Sequence, residues 1–122
     1  MQQNNDIRIE NRGEFTLFDI KGDLTAASEP ALTKAYRDAD EAGAARILLR
    51  FEEGAYINSG GIAVLIQILA QSRKKSQSIG IVGLSEHFKK IFKMVGITKF
   101  ADIHDSVDDA MKVMAAGSGQ AP

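Results

Sequence analysis

The sequence predicts one α/β domain with a mixed sheet of four to five strands and about four helices, in the order β-β-α-β-α-β-α-β-α. Short apolar runs alternate with longer stretches in which apolar residues recur every three to four positions. The first two strand-like runs are separated only by a turn, which indicates a hairpin and makes the sheet mixed. A chain of 122 residues is long enough for one core and too short for two.

The opening hairpin is predicted from residues 7–10, which alternate apolar and polar, and from residues 15–20, which are rich in strand-forming types. Residues 11–13 between them have the chemistry of a turn. Gly22 and Asp23 are expected to end the second strand.

A first helix is predicted to open at Ser28, since Pro30 is accepted in a first turn, and to stop at Gly43. Its apolar face contains Leu32, Ala35, Tyr36 and Ala39. Residues 47–51 are short and mostly apolar, which predicts a strand covered on both faces.

A loop over residues 52–58 leads to a longer helix that is predicted to start near Ser59. Ser59 is the expected N-cap, and Asn58 could serve equally well. The expected buried stripe contains Ile62, Leu65, Ile66 and Leu69. Residues 79–83 then predict another short apolar strand.

The last third of the chain predicts two further helices and one weak strand. The third helix is capped by Ser85 and ended by Gly96, and the weak strand covers residues 100–103. The final helix begins at Ser106 with a sequence like a capping box. The apolar faces of these helices contain Phe88, Ile91, Phe92 and Val95, and Val107, Ala110, Met111 and Met114, respectively.

Composition limits the class of protein. Hydrophobic residues make up 44%, charged residues 25% and the net charge is −1, as in an ordinary soluble protein that does not bind nucleic acid directly. The absence of cysteine excludes disulfides and thiolate chemistry. No apolar run approaches the ~20 residues of a membrane helix, and the first residues lack the regions of a secretory signal. We therefore expect a cytoplasmic domain at residues 7–115 with flexible termini at residues 1–6 and 116–122.

One segment carries a family resemblance. Residues 56–65 read Tyr-Ile-Asn-Ser-Gly-Gly-Ile-Ala-Val-Leu, and they resemble the STAS family of bacterial anti-sigma-factor antagonists. Members of that family place a phosphorylatable Ser or Thr before Gly at the start of a helix, a position that Ser59 fits. Residues 22–25, Gly-Asp-Leu-Thr, resemble the family's turn after the second strand, and residues 85–97 resemble its helix ending in an apolar residue and glycine. The resemblance covers residues 7–114.

The chain departs from the family pattern beside the motif. Many members carry Asp two residues before the phosphorylated Ser, where this chain has Ile57, with Asn58 directly before Ser59. Gly61 replaces a common apolar residue.

The resemblance implies a partner switch. The unphosphorylated protein would bind an anti-sigma factor that has a serine-kinase domain of the histidine-kinase-like ATPase type, and so free the sigma factor. The kinase would phosphorylate Ser59 with ATP, and a PP2C-type phosphatase would reverse the step. The free protein is expected to be a monomer without a cofactor. The expected partner-binding residues are Asp23, Leu24, Thr25, Asn58, Ser59, Gly60 and Gly61.

Elementary physics is compatible with this role. A helix N-terminus offers free N–H groups and a partial positive charge, so phosphate at Ser59 should leave the fold intact. Two glycines in the first turn cost roughly 1 kcal/mol each relative to alanine. Either another backbone approaches closely there, or the helix packs tightly on the sheet.

Other function classes remain as alternatives. We expect no enzyme, since no phosphate-binding or dinucleotide glycine motif is present and Ile57 stands where a nucleophile elbow needs glycine. His87 and His104 are the only histidines, and their spacing favours neither a triad nor a metal site. The main alternative is a STAS scaffold or lipid-transport subunit that binds a permanent partner without phosphorylation. A sensor of a nucleotide or another small ligand is a further possibility.

Overall fold

The structure is a computed structural model, which describes residues 5–117 and the side chains of residues 5–115. The strands are β1 (Asp6–Arg12), β2 (Phe15–Lys21), β3 (Arg46–Phe51), β4 (Ser78–Val82) and β5 (Asp102–His104). The helices are α1 (Glu29–Glu41), α2 (Ser59–Lys74), α3 (Glu86–Met94) and α4 (Val107–Gly117), and Ala26–Ser28 and Ile97–Lys99 form 3₁₀ turns. The predicted order of strands and helices is confirmed over these residues. The flexible termini expected at residues 1–6 and 116–122 lie outside the described residues over 1–4 and 118–122.

The five strands form one mixed sheet in the order β1-β2-β3-β4-β5. β1 is antiparallel to β2, and every other neighbouring pair is parallel. The hairpin turn consists of Gly13 and Glu14, and Gly13 has a φ of 64°, which suits the first position of a two-residue hairpin loop. The parallel strands are joined by helical crossovers, so their carboxyl ends lie at one edge of the sheet.

The sheet is covered on both faces. The larger core lies between the sheet and helices α1, α2 and α3, and its strand residues include Phe18, Ile20, Ile47, Leu49, Ile79 and Ile81. The smaller core lies under α4 and contains Phe15, Leu17, Leu48, Val82, Ala110 and Met114. β3 contributes to both cores, which confirms the prediction that this strand is covered on both faces.

The predicted buried face is correct for α1 and only partly correct for α2. All four predicted apolar residues of α1 are buried. In α2 the buried residues are Gly61, Val64, Leu65, Ile68, Leu69 and Ser72, whereas Ile62 and Ile66 are only partly buried. Because α2 is apolar around most of its circumference, apolar spacing alone does not select the face. The small residues Gly61 and Ser72 face the core instead.

The segment after α3 also differs from the expectation. Phe88 and Phe92 are buried, but Val95 is 47% exposed because the helix ends at Met94 and Gly96 turns the chain with a φ of 88°. β5 begins two residues later than predicted, since the 3₁₀ turn continues to a hydrogen bond from the Phe100 N–H to the Ile97 carbonyl.

Candidate functional site

Ser59 is the first helical residue of α2, and its side chain is exposed. Asn58 is the N-cap, since its backbone is extended and its Oδ1 accepts a hydrogen bond from the Gly61 N–H at 2.9 Å. The expectation that Ser59 is the cap is therefore wrong, and the alternative, Asn58, is correct. Since the side chain of Asn58 already accepts the cap hydrogen bond, the Ser59 hydroxyl is not needed for this purpose.

The turn after β2 lies directly beside the start of α2. The Leu24 N–H donates to the Tyr56 carbonyl at 2.8 Å, and the Leu24 carbonyl accepts from the Asn58 N–H at 3.1 Å. The Asp23 carboxylate accepts from the Tyr56 N–H at 2.9 Å. The structure thus brings the two predicted groups of residues together into one region, which we call the Ser59 surface: Asp23, Leu24, Thr25, Asn58, Ser59, Gly60 and Gly61.

Both glycines after Ser59 are required by the chain itself. A Cβ atom on Gly61 would lie 2.3 Å from the Leu24 carbonyl oxygen, and one on Gly60 would lie 2.9 Å from the Ala26 nitrogen. Real Cβ atoms do not come within 3.0 Å of such neighbours. The close backbone approach is therefore that of residues 24–26 of the same chain, and it locks the turn against the helix start.

The members of the Ser59 surface differ in exposure. Asp23 and Ser59 are exposed, Thr25, Asn58 and Gly60 are partly buried, and Leu24 and Gly61 are buried. Thr25 is occupied as a cap, since its hydroxyl accepts from the Ala27 N–H at 3.1 Å. A partner could touch Asp23 and Ser59 directly, whereas the buried pair shapes the backbone beneath them.

Sequence reasoning missed two residues that belong beside this surface. Tyr56 is 57% exposed, and its ring packs edge-on against Phe88 with centroids 5.9 Å apart. Glu52 Oε1 accepts a hydrogen bond from the Gly22 N–H at 2.8 Å and so holds the neighbouring turn. An aromatic residue directly before the motif was the available signal for Tyr56, whereas Glu52 had none.

The helix start has unused donors. Among residues 5–117, no protein group accepts from the N–H groups of Ser59 or Gly60. These donors and the positive end of the helix dipole favour an anion at this point. The exposed carboxylate of Asp23, by contrast, lies in the adjacent turn and adds a negative charge to this region.

The two histidines lie in different parts of the fold. His87 is exposed in the first turn of α3, and its ring packs on Phe88 at 5.1 Å. His104 is the last residue of β5, one residue beyond the predicted end of this strand, and it packs beside Gly80 and Met114 on the α4 face, opposite α2. Its buried Nε2 has no hydrogen-bond partner within the described chain. Over residues 5–117, no three His, Asp or Glu side chains come together as a metal site.

A concave region lies on the α4 face of the sheet at the carboxyl ends of the strands. It has a volume of about 790 Å³, and Asp19 and Arg50 line it. Arg50 Nε donates to Asp19 Oδ1 at 3.2 Å, and this bond lowers the pKa of Asp19 below its ordinary value of 3.8. The pair is a charged feature separate from the Ser59 surface.

The fold and the Ser59 surface define an α/β domain with an exposed serine at a helix start. The STAS domain family model matches residues 6–110, so the chain belongs to the STAS family. No curated protein sequence matches the chain. No helix within residues 5–117 is long and apolar enough to cross a membrane.

Solved structures of anti-sigma factor antagonists share this fold. The proposed antagonist TM1081 of Thermotoga maritima has a TM-score of 0.74 at 16% identity, with 87% of this chain and 92% of that chain covered. An antagonist from Mycobacterium paratuberculosis has a TM-score of 0.72 at 17% identity, with coverages of 91% and 94%. Phosphorylated SpoIIAA of Bacillus has a TM-score of 0.63 at 14% identity, with coverages of 88% and 97%. At these identities the similarity shows the shared fold.

Proposed function

We propose that the protein is an anti-sigma-factor antagonist that acts in the cytoplasm by partner switching. Unphosphorylated, it binds an anti-sigma factor that has a serine-kinase domain of the histidine-kinase-like ATPase type. Phosphorylation of Ser59 releases the complex, and a PP2C-type phosphatase resets the protein. The observation that carries the proposal is the exposed Ser59 hydroxyl at the first helical position, where Asn58 already supplies the cap.

This arrangement separates the switch from the fold. Phosphorylation would leave the cap bond between Asn58 and Gly61 untouched, because Ser59 takes no part in it. The phosphate would add about −1.5 to −2 charges and three acceptor oxygens next to the N–H groups of Ser59 and Gly60. The folded state should therefore tolerate the modification, while the charge of the exposed surface changes strongly.

The same surface offers a contact area for a protein partner. Tyr56 has a large, half-exposed ring. Its backbone is fixed to the adjacent turn, because its carbonyl accepts from the Leu24 N–H and its N–H donates to the Asp23 carboxylate. Ile62, about one turn along α2 from Ser59, is an apolar residue that remains partly exposed. Interfaces commonly centre on such aromatic anchors. A phosphate on Ser59 would lie at this contact and repel carboxylate or apolar groups of the partner.

Paired capture from native lysate tests the proposal. Wild type, Ser59→Asp and Ser106→Asp serve as baits, with mass spectrometry as the readout. Ser106 is the matched control, since it is also an exposed serine at a helix start, but it directly precedes α4, on the other face of the sheet, and its hydroxyl accepts from the Asp109 N–H. We expect wild type and Ser106→Asp to retain a protein with a histidine-kinase-like ATPase domain, and Ser59→Asp to lose it.

Two further results decide between the proposal and its alternative. The captured kinase and ATP should label wild type at Ser59 and leave Ser59→Ala unlabelled. If all three baits hold the same partner with equal yield, Ser59 is not the switch. Stable recovery of that partner within a membrane complex would then favour the scaffold or lipid-transport role.

A further inference from the structure

Strand β1 is an edge of the sheet whose outer side faces no other described strand. It has seven residues, Asp6–Arg12, and most of their side chains are exposed. The direction of its backbone groups can be inferred from the hydrogen bonds of β2. The Ile20 carbonyl accepts from the Glu52 N–H, so the backbone N–H and C=O groups of even-numbered β2 residues point towards β3. The backbone groups of odd-numbered β2 residues therefore form hydrogen bonds with those of even-numbered β1 residues in the observed register. The N–H and C=O groups of Ile7, Ile9 and Asn11 consequently point outward.

The charges of β1 alternate in sign along one face. Asp6, Arg8, Glu10 and Arg12 share the even-numbered face, because side chains alternate along a strand. An antiparallel second copy that pairs with its two-fold axis at Ile9 places Arg8 opposite Glu10, and Asp6 opposite Arg12. The strand is therefore complementary in charge to itself, as a two-fold symmetric contact requires.

This register is also specified against its neighbours. Only odd-numbered residues of β1 have outward N–H and C=O groups, so each odd-numbered residue must pair with an odd-numbered residue of the second copy. The neighbouring registers therefore have the two-fold axis at Arg8 or at Glu10. With the axis at Arg8, this side chain meets its own copy and Asp6 meets Glu10. With the axis at Glu10, the Glu10 side chains meet each other and Arg8 meets Arg12. Like charges directly opposite are unfavourable, so the Ile9-centred register is the favoured one among these three.

We propose that β1 is a self-association edge through which two copies of this chain join their five-stranded sheets into one. Ile9 exchanges backbone hydrogen bonds with Ile9 of the second copy, and Ile7 exchanges them with Asn11. The Ile9 side chain, 41% exposed in the single chain, packs against its copy at the axis. This dimer departs from the monomer implied by the family resemblance.

The ion pairs within the single strand do not prevent this contact. Arg12 lies 3.1 Å from Glu10 and Arg8 lies 3.8 Å from Asp6, and all four side chains are substantially exposed. Exposed pairs of this kind contribute little, so they exchange partners readily. One strand per copy is a small interface, and the dimer is accordingly weak and dependent on concentration. The proposed contact uses the outward edge of β1 and none of the residues of the Ser59 surface, so the inference is independent of the proposed function.

Sedimentation velocity on the full chain over a range of concentrations tests the association. Wild type is expected to shift from monomer towards dimer by about 1 mM. In the symmetric dimer, residue 8 of each copy lies opposite residue 10 of the other. Arg8→Glu and Glu10→Arg each place like charges at both of these contacts, so each is expected to weaken the dimer about ten-fold or more. In an equimolar mixture, a dimer of one copy of each variant again has opposite charges at both contacts between positions 8 and 10. The mixture is expected to recover wild-type association.

Amide chemical shifts provide a second readout that a nonspecific contact would not reproduce. As concentration rises, the N–H signals of Ile7, Ile9 and Asn11 are expected to move, while those of Arg8 and Glu10 stay nearly unchanged. Far-UV circular dichroism confirms that each variant is folded. Wild type that is monomeric at about 1 mM overturns the proposal. Dimerisation that survives both single variants, or a mixture that stays monomeric, also overturns it.

Discussion

Replacing Gly61 by alanine should destabilise the protein, although alanine is the better helix former. The new Cβ atom would lie 2.3 Å from the Leu24 carbonyl oxygen and 2.6 Å from its carbon, and both are backbone atoms that cannot rotate away. Reaching an ordinary contact distance of 3.4 Å requires a shift of about 1 Å between α2 and the turn after β2. The hydrogen bond from the Asn58 N–H to the Leu24 carbonyl is already 3.1 Å long, and it would break.

The magnitude follows from opposing contributions. Helix propensity favours alanine by about 1 kcal/mol. Overpacking costs about 1–3 kcal/mol, and each lost backbone hydrogen bond costs about 1 kcal/mol more. Since the Leu24 N–H and C=O groups both bond to the segment before α2, up to two bonds are affected. The expected net loss in the free energy of unfolding is about 1–4 kcal/mol.

Urea unfolding of wild type, Gly61→Ala and Ala63→Gly measures this difference. Ala63 is exposed in the same helix two residues later, so its change to glycine calibrates propensity alone, with an expected loss of about 1 kcal/mol. A loss in Gly61→Ala at least as large as that in Ala63→Gly supports the close approach. A Gly61→Ala variant about 1 kcal/mol more stable than wild type would refute it, because propensity would then act unopposed.

Three further outcomes are expected from unfolding measurements. Asn58→Ala should lose about 1 kcal/mol while Ser59→Ala changes stability by less than about 0.5 kcal/mol; the reverse order would contradict the assignment of the cap. Ser59→Asp should keep the thermal midpoint within a few degrees of wild type, because a carboxylate suits a helix start, and unfolding at room temperature would contradict this geometry. Asp19→Asn should be less stable than wild type above pH 3.8, since Arg50 lowers the folded-state pKa of Asp19, and the difference should shrink as pH falls from 3.8 through that folded-state pKa. A difference that stays constant over this acid range would show that the hydrogen bond does not depend on ionisation.

The order of elements could be predicted because it depends on local signals. Apolar spacing identified the buried face of α1, and Ser85 and Gly96 marked the ends of the α3 region, as the structure confirms. The face of α2 was predicted only in part: Leu65 and Leu69 are buried as expected, but Ile62 and Ile66 are only partly buried, because this helix is apolar around most of its circumference. Its orientation depends on which small residues allow close packing, and Gly61 is the residue that permits it.

The candidate site divides in the same way. The sequence by itself identified Ser59 and the turn beginning at Gly22, because both belong to short motifs. Tertiary structure decided that Asn58 is the cap, that Tyr56 is exposed beside Ser59, and that the two glycines accommodate residues 24–26 of the same chain. These facts depend on the parallel pairing of residues far apart in the sequence, whose distances no local pattern encodes. Local chemistry determines which residues begin and end each element, and the packing of the elements determines which of those residues remain available to a partner.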